Sequence, residues 1–158
     1  MTQGDLLRCL ILACGNTLRG DDGAGPWLAA WTKKRFGSEP RIRVISRQQW
    51  TPELAKDIAR AESVLFIDCS IESAPGAVSL SSVEPNPEMP AVATHHLSAP
   101  ELLALAREFY ASLPHEALML TIGAGSVELG EEFSETVQAA LPQACRRIEE
   151  TVLRLIGD

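Results

Sequence analysis

Asp21 and Asp22 stand side by side between glycines in the stretch ACGNTLRGDDGAGP, residues 13–26, directly after an apolar run and directly before a helix-like run. Adjacent carboxylates repel, and each resists leaving water unless something positive compensates it. A divalent cation is the simplest compensation. A third carboxylate, Asp68, lies at the end of the apolar run SVLFIDC, and the loop ATHHLSAPELL carries His95 and His96. Carboxylates joined by an imidazole make a mixed oxygen–nitrogen site suited to a borderline ion such as nickel or zinc. Three protein ligands with open positions describe a site that exchanges ligands, unlike a closed structural one.

Each of these residues also has a plainer reading. Asp21 or Asp22 can cap the helix that follows, Asp68 can be a turn residue, and loop histidines are commonly surface residues. A glycine-rich loop after a strand also suits a phosphate. Neither the G-x-G-x-x-G nor the G-x-x-x-x-G-K spacing is present, however, and the paired carboxylates would repel an anion unless a cation intervened. There is no G-x-S-x-G elbow. Cys14 and Cys69 keep a Cys–His nucleophilic pair open as a weaker reading.

The elements that must position these residues alternate along the chain. Residues 6–14 form a short continuous apolar run, as in a strand buried on both faces. Residues 22–36 carry apolar side chains at helical spacing, with Pro26 tolerable in a first turn. Residues 41–46 alternate and are β-branched, which predicts a second strand. Thr51 and Pro52 read as the N-cap and first residue of a helix to about Ala61. Residues 63–69 are a third strand. Residues 77–83 read as an edge strand, followed by the proline-rich loop EPNPEMP. Ser98 with Glu101 forms a capping box for a helix to about Ser112. Residues 117–122 are another strand, and 133–156 a long helix that Pro142 is expected to bend or interrupt.

Such alternation implies a mostly parallel sheet with helices on both faces. Ligands in such folds sit beyond the carboxyl ends of the strands, where the winding direction reverses. If the second and third strands flank the first, that crevice lies between the first and third. The acidic ends of those two strands then converge.

The 158 residues are most simply one domain, 1–158, with 46% hydrophobic and 22% charged residues, an ordinary globular balance. A net charge of -7 argues against a nucleic-acid or anionic-membrane partner. Cys9, Cys14, Cys69 and Cys145 form no C-x-x-C pair and read as reduced structural thiols. Ile11–Cys14 faintly resembles a lipoprotein cleavage box, but its apolar run is shorter than the about 7–15 residues of a signal segment. No run approaches the roughly 20 apolar residues of a membrane span. The expected location is the cytoplasm.

These residues together resemble the maturation endopeptidases of [NiFe] hydrogenases, over nearly the whole length. GNTLRGDDGAGP at 15–26 resembles that family's glycine–asparagine and acidic-pair signature, and VLFIDCS at 64–70 its second acidic strand end. THHLSAPELL at 94–103 is similar to its histidine segment, and LTIGAGSVELGEEFSETV at 120–137 to its last strand and final helix. The resemblance implies an α/β fold, a three-layer α/β/α sandwich with a mostly parallel five-stranded sheet and one antiparallel strand.

It also implies a nickel-dependent peptidase that makes one cut. The cut removes the C-terminal extension of a [NiFe] hydrogenase large-subunit precursor after nickel insertion. The family's two carboxylates and histidine fall on Asp22, Asp68 and His95, with His96 second choice for the imidazole, and Asp21 is a candidate general base. The nickel is expected to arrive with the substrate and not to be a resident cofactor, and the protein is expected to act as a monomer.

One stretch departs from the family pattern. An acidic residue followed by two glycines and threonine is replaced here by Ser46-Arg47-Gln48-Gln49, ahead of WTPELA. This version resembles members that process bidirectional, NAD-linked hydrogenases, and it makes Arg47, Gln48 and Gln49 candidate substrate-binding residues. Two other readings stay open: a nickel-binding assembly protein without proteolysis, and a phosphate- or nucleotide-binding α/β domain.

Overall fold

The computed structural model describes residues 6–89 and 97–157. Strand β1, Cys9–Cys14, is buried along its whole length. Its alternate side chains divide between two cores: Cys9, Ile11 and Ala13 enter one, and Leu10, Leu12 and Cys14 the other. This is why the run reads as continuously apolar instead of alternating. Helix α1, Ala24–Phe36, follows a 3-10 turn at Gly20–Gly23. Strand β2 is Ile42–Arg47, helix α2 Leu54–Ala59, and strand β3 Ser63–Ser70. Strand β4, Val78–Ser82, leads through a proline-rich stretch toward helix α3, Ala99–Tyr110. Strand β5, Glu116–Gly123, and helix α4, Glu135–Leu155, complete the order.

The sheet order is β2-β1-β3-β5-β4, with β4 antiparallel to β5 and every other pairing parallel. Helices α1 and α4 cover one face and α2 and α3 the other, which gives the three-layer α/β/α sandwich expected from the sequence. Strand β1 lies between β2 and β3, so the winding direction reverses beside it, and the crevice opens between β1 and β3.

The structure corrects three local expectations. Helix α2 starts at Leu54 with Glu53 as N-cap and no side-chain cap bond. Thr51 and Pro52 instead form the turn ahead of it, their carbonyls accepting from Leu54 N and Ala55 N at 3.1 Å each. Helix α1 has Gly23 as N-cap, so neither Asp21 nor Asp22 caps it. Helix α4 runs through Pro142 without interruption. Pro142 and Gln138 are both exposed. The carbonyl that loses its donor therefore lies on the water side, while Val137, Ala144, Ile148 and Val152 hold the helix to the core. No helix among the described residues is long and apolar enough to cross a membrane.

Candidate active site

The carboxyl end of β1 becomes a tight loop because two glycines allow it. A Cβ on Gly15, which has φ +150°, would overlap the Asp22 carbonyl oxygen, and one on Gly25 would overlap the carbonyl of Cys14. The loop thus folds back on the strand it leaves, and Asp22 returns to the strand end. Asn16 N–H donates to Asp22 Oδ2 at 2.7 Å, and the Asn16 side chain accepts from Leu18 N at 2.9 Å. Asp22 is half-buried, and its Oδ1 has no hydrogen-bond donor among the described residues. The Asn16 amide, which a phosphate loop would aim at its anion, is already taken by a carboxylate.

Asp21 goes the other way. It is fully buried, and its Oδ1 accepts from Ser134 N at 2.7 Å. Its Oδ2 accepts from Gly125 N, Ser126 N and Ser134 Oγ at 2.7, 2.9 and 2.7 Å. Burial opposes ionisation, but these bonds outweigh it and hold the carboxyl below its ordinary range. A carboxylate with its lone pairs so occupied is not a general base. Asp21 ties the first loop to the segment after β5 and to Ser134, the N-cap of α4.

Asp68 arrives from β3. The register pairs Leu10 with Val64 and Leu12 with Phe66, so the next same-face pair is Cys14 with Asp68. Asp68 Oδ1 accepts from Cys69 N at 2.7 Å, and the Cys14 thiol is hydrogen-bonded to Asp68. Burial, with Asp68 and Asp22 beside it, pushes the Cys14 thiol far above its ordinary value. Burial and the charges of Asp22, Asp68 and Asp21 push Cys69 up to about 12. Burial and the neighbouring carboxylates both disfavour the thiolate at Cys14 and Cys69. All four cysteines are free.

Asp22 and Asp68 open into one cleft of about 840 Å³. Gln48 and Gln49 line its β2 side, and Ser81 to Glu84 and Leu97 to Glu101 the opposite side. Arg47 is not among the lining residues, and its guanidinium donates to the Ser46 carbonyl at 3.1 Å. The Arg47 carbonyl accepts from Gly15 N at 3.1 Å, so its contribution here is to the backbone of the loop.

His95 and His96 lie outside the described residues. Leu97, two positions after His95, lines the cleft and donates its N–H to the Trp50 carbonyl at 3.2 Å. Among the described residues, no group of three His, Cys, Asp or Glu side chains is arranged to hold a metal ion. Two carboxylates opening into one cleft are hard oxygen donors.

Two cleft residues were missed in the sequence. Arg19 is the only cation among the described lining residues, and no described residue accepts from its guanidinium. Trp50 is buried, packs edge-to-face on Phe66 at 5.2 Å, and its Nε1–H has no acceptor among the described residues. An aromatic residue directly after a strand at the switch point was the available signal for Trp50. Nothing in its spacing marked Arg19.

No family model matches the chain, and no curated protein does. Solved structures do. A hydrogenase 2 maturation peptidase from Thaumarchaeota archaeon SCGC_AB-539-E09 is 26% identical, covers 92% of this chain and 97% of its own, and has a TM-score of 0.66. The [NiFe] hydrogenase maturation protease HycI of Thermococcus kodakarensis KOD1 is 25% identical over 96% of this chain and 93% of its own, at 0.64. The hydrogenase maturating endopeptidase HybD of E. coli shares the fold at 0.68, with 21% identity over 94% and 93% of the two chains. These neighbours match over almost their whole length, and the acidic strand ends meet at the switch point, so the chain is similar in fold and sequence to the [NiFe] hydrogenase maturation proteases.

Proposed function

We propose that this protein is an endopeptidase that removes the C-terminal extension of a [NiFe] hydrogenase large-subunit precursor after nickel has been inserted. The observation that carries the reading is the convergence of Asp22 and Asp68, from two different strand ends, on one cleft in a chain similar to these proteases. Asp22, Asp68 and His95 recognise the nickel, which is part of the substrate and is already held by substrate thiolates. Hard carboxylates beside soft thiolates suit a borderline ion. Their grip orients the scissile bond against a metal that can polarise its carbonyl or a water. Gln48 and Gln49 supply amides along the β2 wall, and Arg47 fixes the loop on which Asp22 returns. The protein acts as a monomer.

The test is intact-mass analysis of a precursor from the same genome, nickel-loaded and nickel-free, incubated with this protein. Loss of one C-terminal peptide from the loaded form alone is the expected result. Asp68→Asn and His95→Ala should each abolish the cut while leaving the fold intact. Equal cutting of both precursor forms would reject nickel recognition, and full activity of either variant would reject that residue's role. A precursor that binds but is never cut would make the protein a non-proteolytic assembly factor.

A further inference from the structure

The sheet has two edges of unlike character. The β2 edge carries Arg43 and Arg47, with Arg41 just ahead and Arg43 hydrogen-bonded to Asp57 at 2.8 Å. The β4 edge reads VSLSS, with no charge and no proline. Charges and prolines are the usual means of keeping an exposed edge from pairing with another chain, and β4 has neither.

The register identifies which backbone groups β4 leaves open. Gly123 N donates to the Ala77 carbonyl at 2.8 Å, and Val83 N to the Ala117 carbonyl at 2.9 Å. Both pairs continue the register that sets Ser79 opposite Thr121 and Ser81 opposite Met119. Bonded and non-bonded pairs alternate along an antiparallel ladder. Ser79 and Ser81 therefore turn their N–H and C=O groups toward β5. Val78, Leu80 and Ser82 turn theirs outward, where no described strand pairs with them.

This edge runs into the candidate active site, because Ser82, Val83 and Glu84 line the same cleft as Asp22 and Asp68. Its charge is one-sided. Glu72, Glu84 and Glu88 flank β4, and residues 61–106 contain no Lys or Arg. A second copy of this chain would set those carboxylates against themselves at a net charge of -7 per copy.

We propose that the outward groups of Val78, Leu80 and Ser82 receive the substrate's C-terminal extension as a sixth strand, in a segment of neutral to basic composition. The proposal rests on the peptidase reading above. Strand addition holds a peptide by its main chain and is largely indifferent to its side chains. Gripped by the metal at one end and by the β4 edge at the other, the polypeptide between is fixed for a single cut.

Amide hydrogen exchange with and without the nickel-loaded precursor tests this. Val78, Leu80 and Ser82 should gain protection, while Ser79 and Ser81, already bonded to β5, stay unchanged. Ser82→Pro deletes an outward N–H and no ladder bond, so it should lower kcat/KM by about tenfold. Ser82→Ala keeps the N–H and should lose far less. Should Ser82→Pro unfold, proline placed at successive positions of the extension substitutes for it, with sensitivity expected at every second position. Normal cleavage with no protection at the three amides overturns the edge proposal and leaves the peptidase reading standing. A precursor neither bound nor cut overturns both. Protection of those amides by self-association alone assigns the edge to a second copy and overturns it as well.

Discussion

Asp21 and Asp22 are neighbours in the chain, yet their carboxylates serve opposite sides of one loop. Asp21 is closed inside the protein on four hydrogen bonds, and Asp22 lines the cleft with a single backbone donor on Oδ2. The first fixes the second. By tying the loop to the segment after β5, Asp21 sets the position from which Asp22 reaches the end of β1.

Substitution should separate the two roles. Asp21→Ala leaves the N–H groups of Gly125, Ser126 and Ser134 without their acceptor and should cost roughly 3 kcal/mol of stability. Asp22→Asn should leave stability within about 0.5 kcal/mol and abolish cleavage of the precursor. Chemical denaturation and intact-mass assays of both variants measure this. Equal stability losses would contradict the division of labour.

The same carboxyl gives an acid limb to stability. The ordinary value for Asp21 is 3.8, and the folded value lies below it. Its contribution is therefore fully present above that ordinary value and is lost as pH falls through the depressed folded value. Stability of Asp21→Asn should fall less between pH 4 and lower pH than that of the wild type, in urea titrations at each pH. Parallel curves would refute it.

Alkaline pH should act through the thiols, with the opposite sign. Burial pushes Cys9 from an ordinary 9.0 up to about 12. The unfolded chain releases this proton first, so stability falls as pH rises above about 9, by about 1.4 kcal/mol per pH unit for such a thiol until its folded value is reached. Cys9→Ala should show a shallower decline between pH 8 and 10. An unchanged slope would place the effect elsewhere.

Trp50 carries a buried indole N–H without an acceptor among the described residues. Such an orphan costs about 1–3 kcal/mol. Trp50→Phe removes it while keeping most of the ring packing on Phe66, so the loss should stay under about 1 kcal/mol. Trp50→Ala, which empties the site, should lose about 3–5 kcal/mol. A phenylalanine variant as unstable as the alanine one would show that the N–H is not orphaned in solution.

Gln48 and Gln49 line the same cleft as the two carboxylates. Alanine at either should raise KM for the precursor severalfold with kcat little changed, as for contacts equally strong in ground and transition states. A fall in kcat at constant KM would move them into the chemistry.

The sequence by itself determined the alternation of strands and helices, and so the sheet and its crevice. The apolar run of β1 and the Ser98–Glu101 capping box act locally, through burial on two faces and two short hydrogen bonds. It also gave the acidic residues Asp22 and Asp68 as the groups that meet there, because strand order alone brings their strand ends together. Local pattern had no means of separating Asp21 from Asp22. That needed Gly125, Ser126 and Ser134, more than one hundred positions along the chain. Tertiary structure likewise decided that Pro142 is harmless, since only packing fixes which face of α4 meets water. It decided that Gln48 and Gln49 line the cleft while Arg47 does not, since side-chain direction there follows from β2 pairing with β1. Which edge of the sheet stays open, and which of its amides point outward, is a property of register, and register exists only once the strands have met.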